Sequence, residues 1–350
     1  MTAPNSNSLP PRVLATAIPQ SRRRLYERRA APAPPPAPTA RPHPLTRRNY
    51  RVATVAIEDL INLIERCVSL LIPGAVVHAR PRMGKTHAID YAAIHLARHR
   101  PDILVLRMSC EHHRNQFEGA FFDSLLAAAG VRDSAPSITD KRFALICRLS
   151  EQLQVRHGYI VVLYCDEAQR LSRHALEWLR DVHDQLGQQG YRLVTFLVGQ
   201  PQLMEQKTHY QLAGDEQIVA RFMIEKLHFR GITDAPDAAA CLESYDLSRY
   251  PEETGPFFTE YFYPQAWAAG LRLVRSGGHL WNAFAQAHKS AQLPGAVEIQ
   301  MDYFTRAIES VLKRGPDWDS IGLELTEAHW ETAVHDSGYV AAQQTFSSST

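Results

Sequence analysis

The sequence predicts an α/β fold, a parallel β-sheet flanked by helices and followed by a helical region, and three observations predict it. Apolar runs of strand length recur at Pro73–Val77, Ile103–Met108, Tyr159–Cys165, Leu193–Val198 and Met223–Phe229. Continuous β-branched runs of this kind are what strands buried on both faces look like. Helix-forming segments stand between them, and strands alternating with helices make a parallel sheet covered on both faces, with the ligand edge at the strands' carboxyl ends.

The chain opens on a segment unlike the rest. Residues 1–48 hold nine arginines, from Arg12 to Arg48, against one acid, Glu27, and seven prolines cluster between Pro32 and Pro44. Such a composition predicts a disordered, extended arm with polyproline character rather than a packed element. The arm could grip phosphates or an acidic partner face, or be a solvated tether. Its only aromatic residue is Tyr26, with Tyr50 just beyond, which argues against base stacking as its main task.

From residue 49 the composition is that of a folded core, expected to run to 232. Val55, Ile57, Leu60, Ile61, Ile64, Val68 and Leu71 recur at near-helical spacing, predicting a helix before the first strand. After that strand comes Ala79-Arg80-Pro81-Arg82-Met83-Gly84-Lys85-Thr86, and from Lys85 onward the residues form a helix. A loop so placed can converge its backbone N–H groups and the helix N-terminus on phosphate oxygens. Arg82, Met83, Gly84, Lys85, Thr86 and His87 are therefore the predicted nucleotide-binding residues, Lys85 reaching the β- and γ-phosphates and Thr86 ligating Mg²⁺. Two positions depart from the usual pattern. Ala79 stands where the pattern opens with Gly, and Arg82 stands where many such loops have a second Gly. An ordinary strand-to-helix turn is the competing reading of this segment.

About eighty residues on, Tyr159–Cys165 ends in Asp166-Glu167. At a strand's carboxyl edge Asp166 would hold Mg²⁺ and Glu167 would polarise the water that attacks the γ-phosphate. The strand Leu193–Val198 runs into Gly199-Gln200-Pro201-Gln202-Leu203 and offers Gln200 as a γ-phosphate sensor. Arg221, near the end of a helical stretch, could reach a neighbouring subunit's nucleotide, or be an exposed or locally paired helix arginine.

The order of phosphate loop, strand-Asp-Glu-Ala, strand-Gly-Gln-Pro-x-Leu and Arg-Phe over residues 50–290 resembles the AAA+ ATPases that regulate DNA transposition, the TnsC and TniB type. ExeA-like ATPases and origin-binding initiator ATPases are more distant relatives of the same kind. Asp166–Leu171 and Gly199–Leu203 carry the resemblance most specifically. It implies a P-loop AAA+ ATPase with a helical lid, using ATP and Mg²⁺, in which Lys85, Thr86, Asp166, Glu167, Gln200 and Arg221 hold the roles above. It further implies a homo-oligomer, ring or helical filament, on double-stranded DNA, with a transposase and a target-selector protein as partners. In such assemblies loops after the second strand can line the inner surface, so His112, His113 and Arg114, with Lys141 and Arg142, are the DNA-contact candidates. A solvated loop is the competing reading. A metal site at Cys110, His112 and His113 is rejected, because no complementary pair at metal-site spacing follows.

Residues 233–336 are read as helical lid and C-terminal extension, and 337–350 as a frayed tail. Ser276-Gly277-Gly278 before a helix resembles the start of the lid helix that bears a second sensor arginine in many AAA+ proteins, with Arg275 the nearest arginine. The aromatic stretch Tyr250–Pro264 predicts core packing under the lid.

Composition excludes several classes. With 350 residues, 45% hydrophobic and 21% charged, the chain can bury a sizeable core. No apolar run approaches the roughly 20 residues that span a bilayer, and no export signal is visible. Five scattered cysteines fit a reducing cytoplasm better than a disulfide framework. The rival to the transposition regulator is a nucleotide-gated protein scaffold of the ExeA-like type that does not bind DNA. A DNA-loading initiator would ordinarily add a winged-helix reader, and none is identifiable.

Overall fold

A computed structural model describes residues 43–48, 50–111, 117–132, 137–251 and 254–347. Five parallel strands, β1 (Gly74–His78), β2 (Leu104–Ser109), β3 (Ile160–Asp166), β4 (Arg192–Gly199) and β5 (Glu225–His228), form one sheet in the order β2-β3-β4-β1-β5. All five predicted strands are present, each shifted by no more than two residues. Register pairs Val76 with Leu197 and Val162 with Val194, so β4 lies between the phosphate-loop strand and the strand that ends in Asp166.

The helices of this half are α1 (Val55–Ser69), α2 (Lys85–His99), α3 (Glu118–Ala128), α4 (Ile138–Arg156), α5 (Arg173–Gln188), α6 (Gln202–Leu212) and α7 (Glu216–Phe222). Three start on side-chain caps: Thr54, Ser137 and Ser172 accept the backbone N–H of Ile57, Asp140 and Ala175. Alternate residues of β3 point to opposite faces. Val161, Leu163 and Cys165 pack with Phe122, Leu149 and Leu179 from α3, α4 and α5. Val162 and Tyr164 pack on the other face with Leu60, Ile64 and Ile89 from α1 and α2.

The second half is helical: α8 (Ala235–Leu247), α9 (Phe258–Phe262), α10 (Pro264–Ala268), α11 (Gly277–Ser290), α12 (Met301–Lys313), α13 (Gly315–Trp318), α14 (Glu327–Ser337) and α15 (Tyr339–Ser347). Its core joins Tyr245, Phe258, Tyr263, Phe284, Phe304, Ile308 and Trp330; of the aromatic connection Phe258 and Tyr263 are buried in it, and Tyr250 and Phe262 pack half-buried against it.

Both ends of the chain differ from expectation. The arm expected to run to residue 48 is folded from His43: Pro44–Arg47 form a 3₁₀ turn, and Leu45 is fully buried in the lid core. The His43 ring lies 4.4–5.2 Å from the rings of Tyr261, Phe258, Phe262 and Tyr250. Burial of this small apolar plug outweighs the extended bias of its prolines. Residues 1–42 lie outside the described residues. At the other end, the segment from 337 expected to fray forms α15, anchored by buried Tyr339, whose hydroxyl lies 2.9 Å from His288 Nδ1.

Candidate nucleotide site

The phosphate loop leaves β1 at its carboxyl end and enters α2 at Lys85. Two of its residues have left-handed backbones, Arg82 (φ +65°) and Gly84 (φ +93°). Gly takes that conformation without penalty, whereas an L side chain pays about 1–2 kcal/mol. Ala79 is fully buried with ordinary negative φ and donates its N–H to Gly199 O at 3.1 Å. The missing first glycine is therefore accommodated by continuing the strand, and the conformational demand falls on Arg82.

Lys85 begins α2 and is only 7% exposed. Its ammonium donates to the carbonyls of Ala79 and Arg80, each at 3.1 Å, and so spans the loop from inside. Burial pulls its pKa below the ordinary lysine value, against the opposing pull of Glu167 and Asp166. A buried cation satisfied only by carbonyl oxygens is a cradle suited to an anion.

Asp166 and Glu167 arrive from β3. Thr86 Oγ1 donates to Asp166 Oδ2 at 2.8 Å, bringing together the two predicted Mg²⁺ ligands. Glu167 has a left-handed backbone (φ +54°). Its carboxylate accepts Gln169 Nε2 at 2.7 Å and lies 3.5 Å from Gln200 Nε2. Gln169 was not singled out in the sequence, yet its Oε1 also accepts the Gln200 N–H at 3.0 Å. Gly199 makes this possible, since a Cβ there would lie 2.1 Å from Gln169 Oε1. The glycine before Gln200 was the signal that another group approaches closely.

These residues open into a cavity of about 460 Å³ between the loop and the lid, lined by Arg82 to His87, Glu167 and Gln200. Tyr50, Val52, Ile57, Phe229 and Met301 add an apolar part that sequence reasoning missed. The volume, an apolar end and a cationic, carbonyl-spanned end suit a nucleoside triphosphate. Lid residues at the cavity come from α12: Met301, Asp302, Thr305 and Glu309. The helix expected there, α11, is elsewhere: Arg275 lines a separate recess with Arg272, His279 and Leu325. The two glycines signal a helix start but carry no information about which lid helix faces the loop.

A strap from the N-terminal segment, Arg48 and Tyr50 to Val52, lines one side of the cavity. Arg48 Nε and Tyr50 OH both donate to the buried carboxylate of Glu309, each at 2.9 Å, and Tyr50 OH meets Tyr245 OH at 2.9 Å. Burial and the Glu309 charge raise the Tyr50 hydroxyl far above its ordinary pKa, so it stays a neutral donor.

The remaining candidates are placed differently. Arg221 ends α7 at the amino edge of the sheet, since a Cβ on Gly74 would touch the backbone of Arg221 and Phe222. It pairs with Asp184 and lies 3.1 Å from His183 Nδ1. At that edge it lies away from its own chain's loop and is a locally paired helix arginine, as the competing reading has it. Lys141 pairs with Asp123 at 2.6 Å, and Arg142 with Glu118 at 2.6 Å and Asp181 at 3.1 Å. Both hold α4 against neighbouring helices, so neither is a free cation for DNA. His112, His113 and Arg114 lie outside the described residues. Among the described residues no cluster of three or more His, Cys, Asp or Glu side chains could hold a metal.

Comparison with known proteins agrees with this architecture. Residues 74–206, from the first strand through the Gly-Gln turn, match the family described as an AAA domain. The sheet order and flanking helices are those of the AAA+ P-loop ATPase fold. Among solved structures, the Aeropyrum pernix ORC2 protein in its ADPNP–ADP complexes is similar over 84% of this chain and 71% of that chain, at 14% identity and a TM-score of 0.53. At that identity the likeness is one of fold. Drosophila ORC bound to DNA (12% identity, 95% of this chain and 69% of that chain, TM-score 0.44) and the Aeropyrum pernix ORC1 protein in complex with DNA (14%, 83% and 84%, TM-score 0.41) are looser overlaps that add no argument. No curated protein matches the sequence. Among the described residues no helix is long and apolar enough to cross a membrane.

Proposed function

We propose that this protein is a Mg²⁺-dependent ATPase whose assembly is switched by nucleotide, and that it acts on double-stranded DNA as a regulator of transposition. The observation that carries the ATPase reading is the convergence at one cavity of Lys85, Thr86, Glu167 and Gln200, with Asp166 accepting from Thr86 at 2.8 Å behind it. When bound, Mg²⁺ and ATP would supply an electrophilic phosphoryl group and the metal that neutralises its charge. Lys85 and the loop N–H groups would bind phosphate oxygens, and Thr86 and Asp166 would hold the metal. Glu167 would take a proton from water, with Gln200 orienting that water. Gln169 ties the Glu167 carboxylate in the present arrangement and would have to share it with the water.

Arg221, at the far edge of the sheet, would complete the site of a neighbouring subunit. Nucleotide held between subunits stabilises the oligomer by linkage, and its loss loosens the assembly. Transposition control rests on the motif order Asp166–Leu171 and Gly199–Leu203, and it brings a transposase and a target-selector protein as partners. One observation favours the protein-scaffold reading: Lys141 and Arg142 are consumed by ion pairs, while Ile138 and Phe143 of the same helix, and Phe117 just before α3, are exposed.

The test is duplex-DNA binding with ATP, a slowly hydrolysed analogue, ADP and no nucleotide, with particle size read by negative-stain microscopy. Rings or filaments on DNA only with the triphosphate forms, abolished in Lys85→Ala and Arg221→Ala, are expected. Nucleotide binding without any DNA-dependent assembly would remove the DNA reading in favour of the scaffold.

A further inference from the structure

Two arginines of the phosphate loop are turned toward the lid. Arg80 Nη2 donates to the Glu298 carboxylate at 2.6 Å, and Arg82 Nη1 donates to the Tyr303 hydroxyl at 2.6 Å. The main chain joins in, because Arg82 O accepts the Asp302 N–H at 3.3 Å. Next along the loop, a Cβ on Gly84 would lie 3.7 Å from Met301 Cβ. Glu298, Met301, Asp302 and Tyr303 of the lid thus meet the loop at Arg80, Arg82 and Gly84. In the other direction the lid offers the cavity no cation, since Met301, Asp302, Thr305 and Glu309 are its lining side chains.

Arg82 holds the loop's costly conformation, a left-handed turn that Gly would take freely. The side chain that makes the turn costly is the one that reaches Tyr303. Tyr303 itself is 1% exposed and does not line the cavity.

We propose that Arg82 is a positioning residue that couples the lid to the phosphate loop through Tyr303, so that lid docking and the anion-binding turn depend on each other. The consequence for nucleotide affinity rests on the ATP-site reading above. With the lid docked, the turn at Arg82 is held and the N–H groups of Met83, Gly84 and Lys85 stay directed into the cradle. With the lid displaced, Arg82 loses its partner and the turn relaxes. Lid position is then read by the loop's own arginine, the reverse of a lid arginine reaching inward.

Hydrogen exchange over residues 298–313 and equilibrium binding of a fluorescent ADP analogue test this in Tyr303→Phe, Arg82→Gly and Arg82→Lys. Tyr303→Phe removes the link without touching the cavity, Arg82→Gly keeps the left-handed turn accessible while removing both the link and a cavity-lining cation, and Arg82→Lys keeps a cation within reach of Tyr303. Without nucleotide, Tyr303→Phe and Arg82→Gly should each speed exchange at the start of α12 about tenfold, the loss expected for one charge-assisted hydrogen bond, while Arg82→Lys stays near wild type. ADP affinity should fall in the same order, although Tyr303 touches no part of the cavity. Unchanged exchange in both variants overturns the proposal, and so does faster exchange with unchanged affinity. If the wild type binds no nucleotide, the ATP-site reading fails, and the exchange arm still decides whether the latch exists.

Discussion

The two walls of the cavity are built from opposite chemistry. The core wall and the strap bring Arg48, Arg51, Arg82 and Lys85 with the single acid Glu167; the lid wall brings Met301, Asp302, Thr305 and Glu309 and no cation. Asp302 and Glu309 are engaged by Arg48, at 3.5 and 2.9 Å. Anion recognition on this account lies wholly on the core side, and the lid contributes by docking on the loop rather than by charge. A site divided in this way should respond differently to damage on its two sides.

The largest effect is expected on the core side. Glu167→Gln keeps the shape of the carboxylate but removes its basicity, and ATP turnover should fall about 10²–10⁴-fold with nucleotide affinity nearly unchanged. Steady-state phosphate release alongside equilibrium binding checks the split, and equal losses in both would mean that Glu167 is a binding group. On the lid side, Glu309→Ala leaves Arg48, Tyr50 and Lys313 without their buried acceptor. Loss of these hydrogen bonds should cost about 2–3 kcal/mol of stability in chemical denaturation, with the core's phosphate groups untouched.

How much of this contrast was legible in the sequence depends on the distance over which it is encoded. The strands and the phosphate loop are local: Tyr159–Cys165 and Ala79–Thr86 declare themselves through apolar continuity and residue spacing. Asp166 and Thr86 could be paired in advance because strand order in this kind of fold brings those edges together. The lid contacts are not local. Arg48 meets Glu309 across 261 positions, and Arg82 meets Tyr303 across 221, with no pattern in either neighbourhood to announce the pairing. Proline content predicts extended backbone near residue 43, where Pro44–Arg47 instead form a 3₁₀ turn, and it says nothing of the aromatic pocket that receives His43 and Leu45. Likewise the charges of Lys141 and Arg142 are visible in sequence, while the acids that neutralise them come from other helices.

Smaller effects sharpen the comparison. Gln200→Ala should lower turnover by about tenfold, as loss of one orienting hydrogen bond does, and should leave ADP affinity unaltered. The strap adds a pH signature on the lid side, beside that of the core histidines His78, His95 and His183, which burial also lowers. Burial lowers His43 from 6.5 to about 4 in the folded protein. Between those values the unfolded chain binds a proton that the folded chain refuses, so stability is fully present above pH 6.5 and falls as pH drops toward 4. Thermal melts at pH 7 and pH 5 should show this loss in wild type and a reduced loss in His43→Phe. An unchanged pH response in the variant would place the acid sensitivity elsewhere.

The central claim is that the loop, Lys85 and the Thr86–Asp166 pair form one ATP site. Calorimetric titration of the protein with Mg²⁺–ATP, beside Lys85→Ala, tests it most directly. The account predicts one site per chain in the wild type and a loss of affinity of about a hundredfold or more in the variant, since the lost cation contacts span two phosphates. No binding in the wild type, or equal binding in the variant, would contradict it.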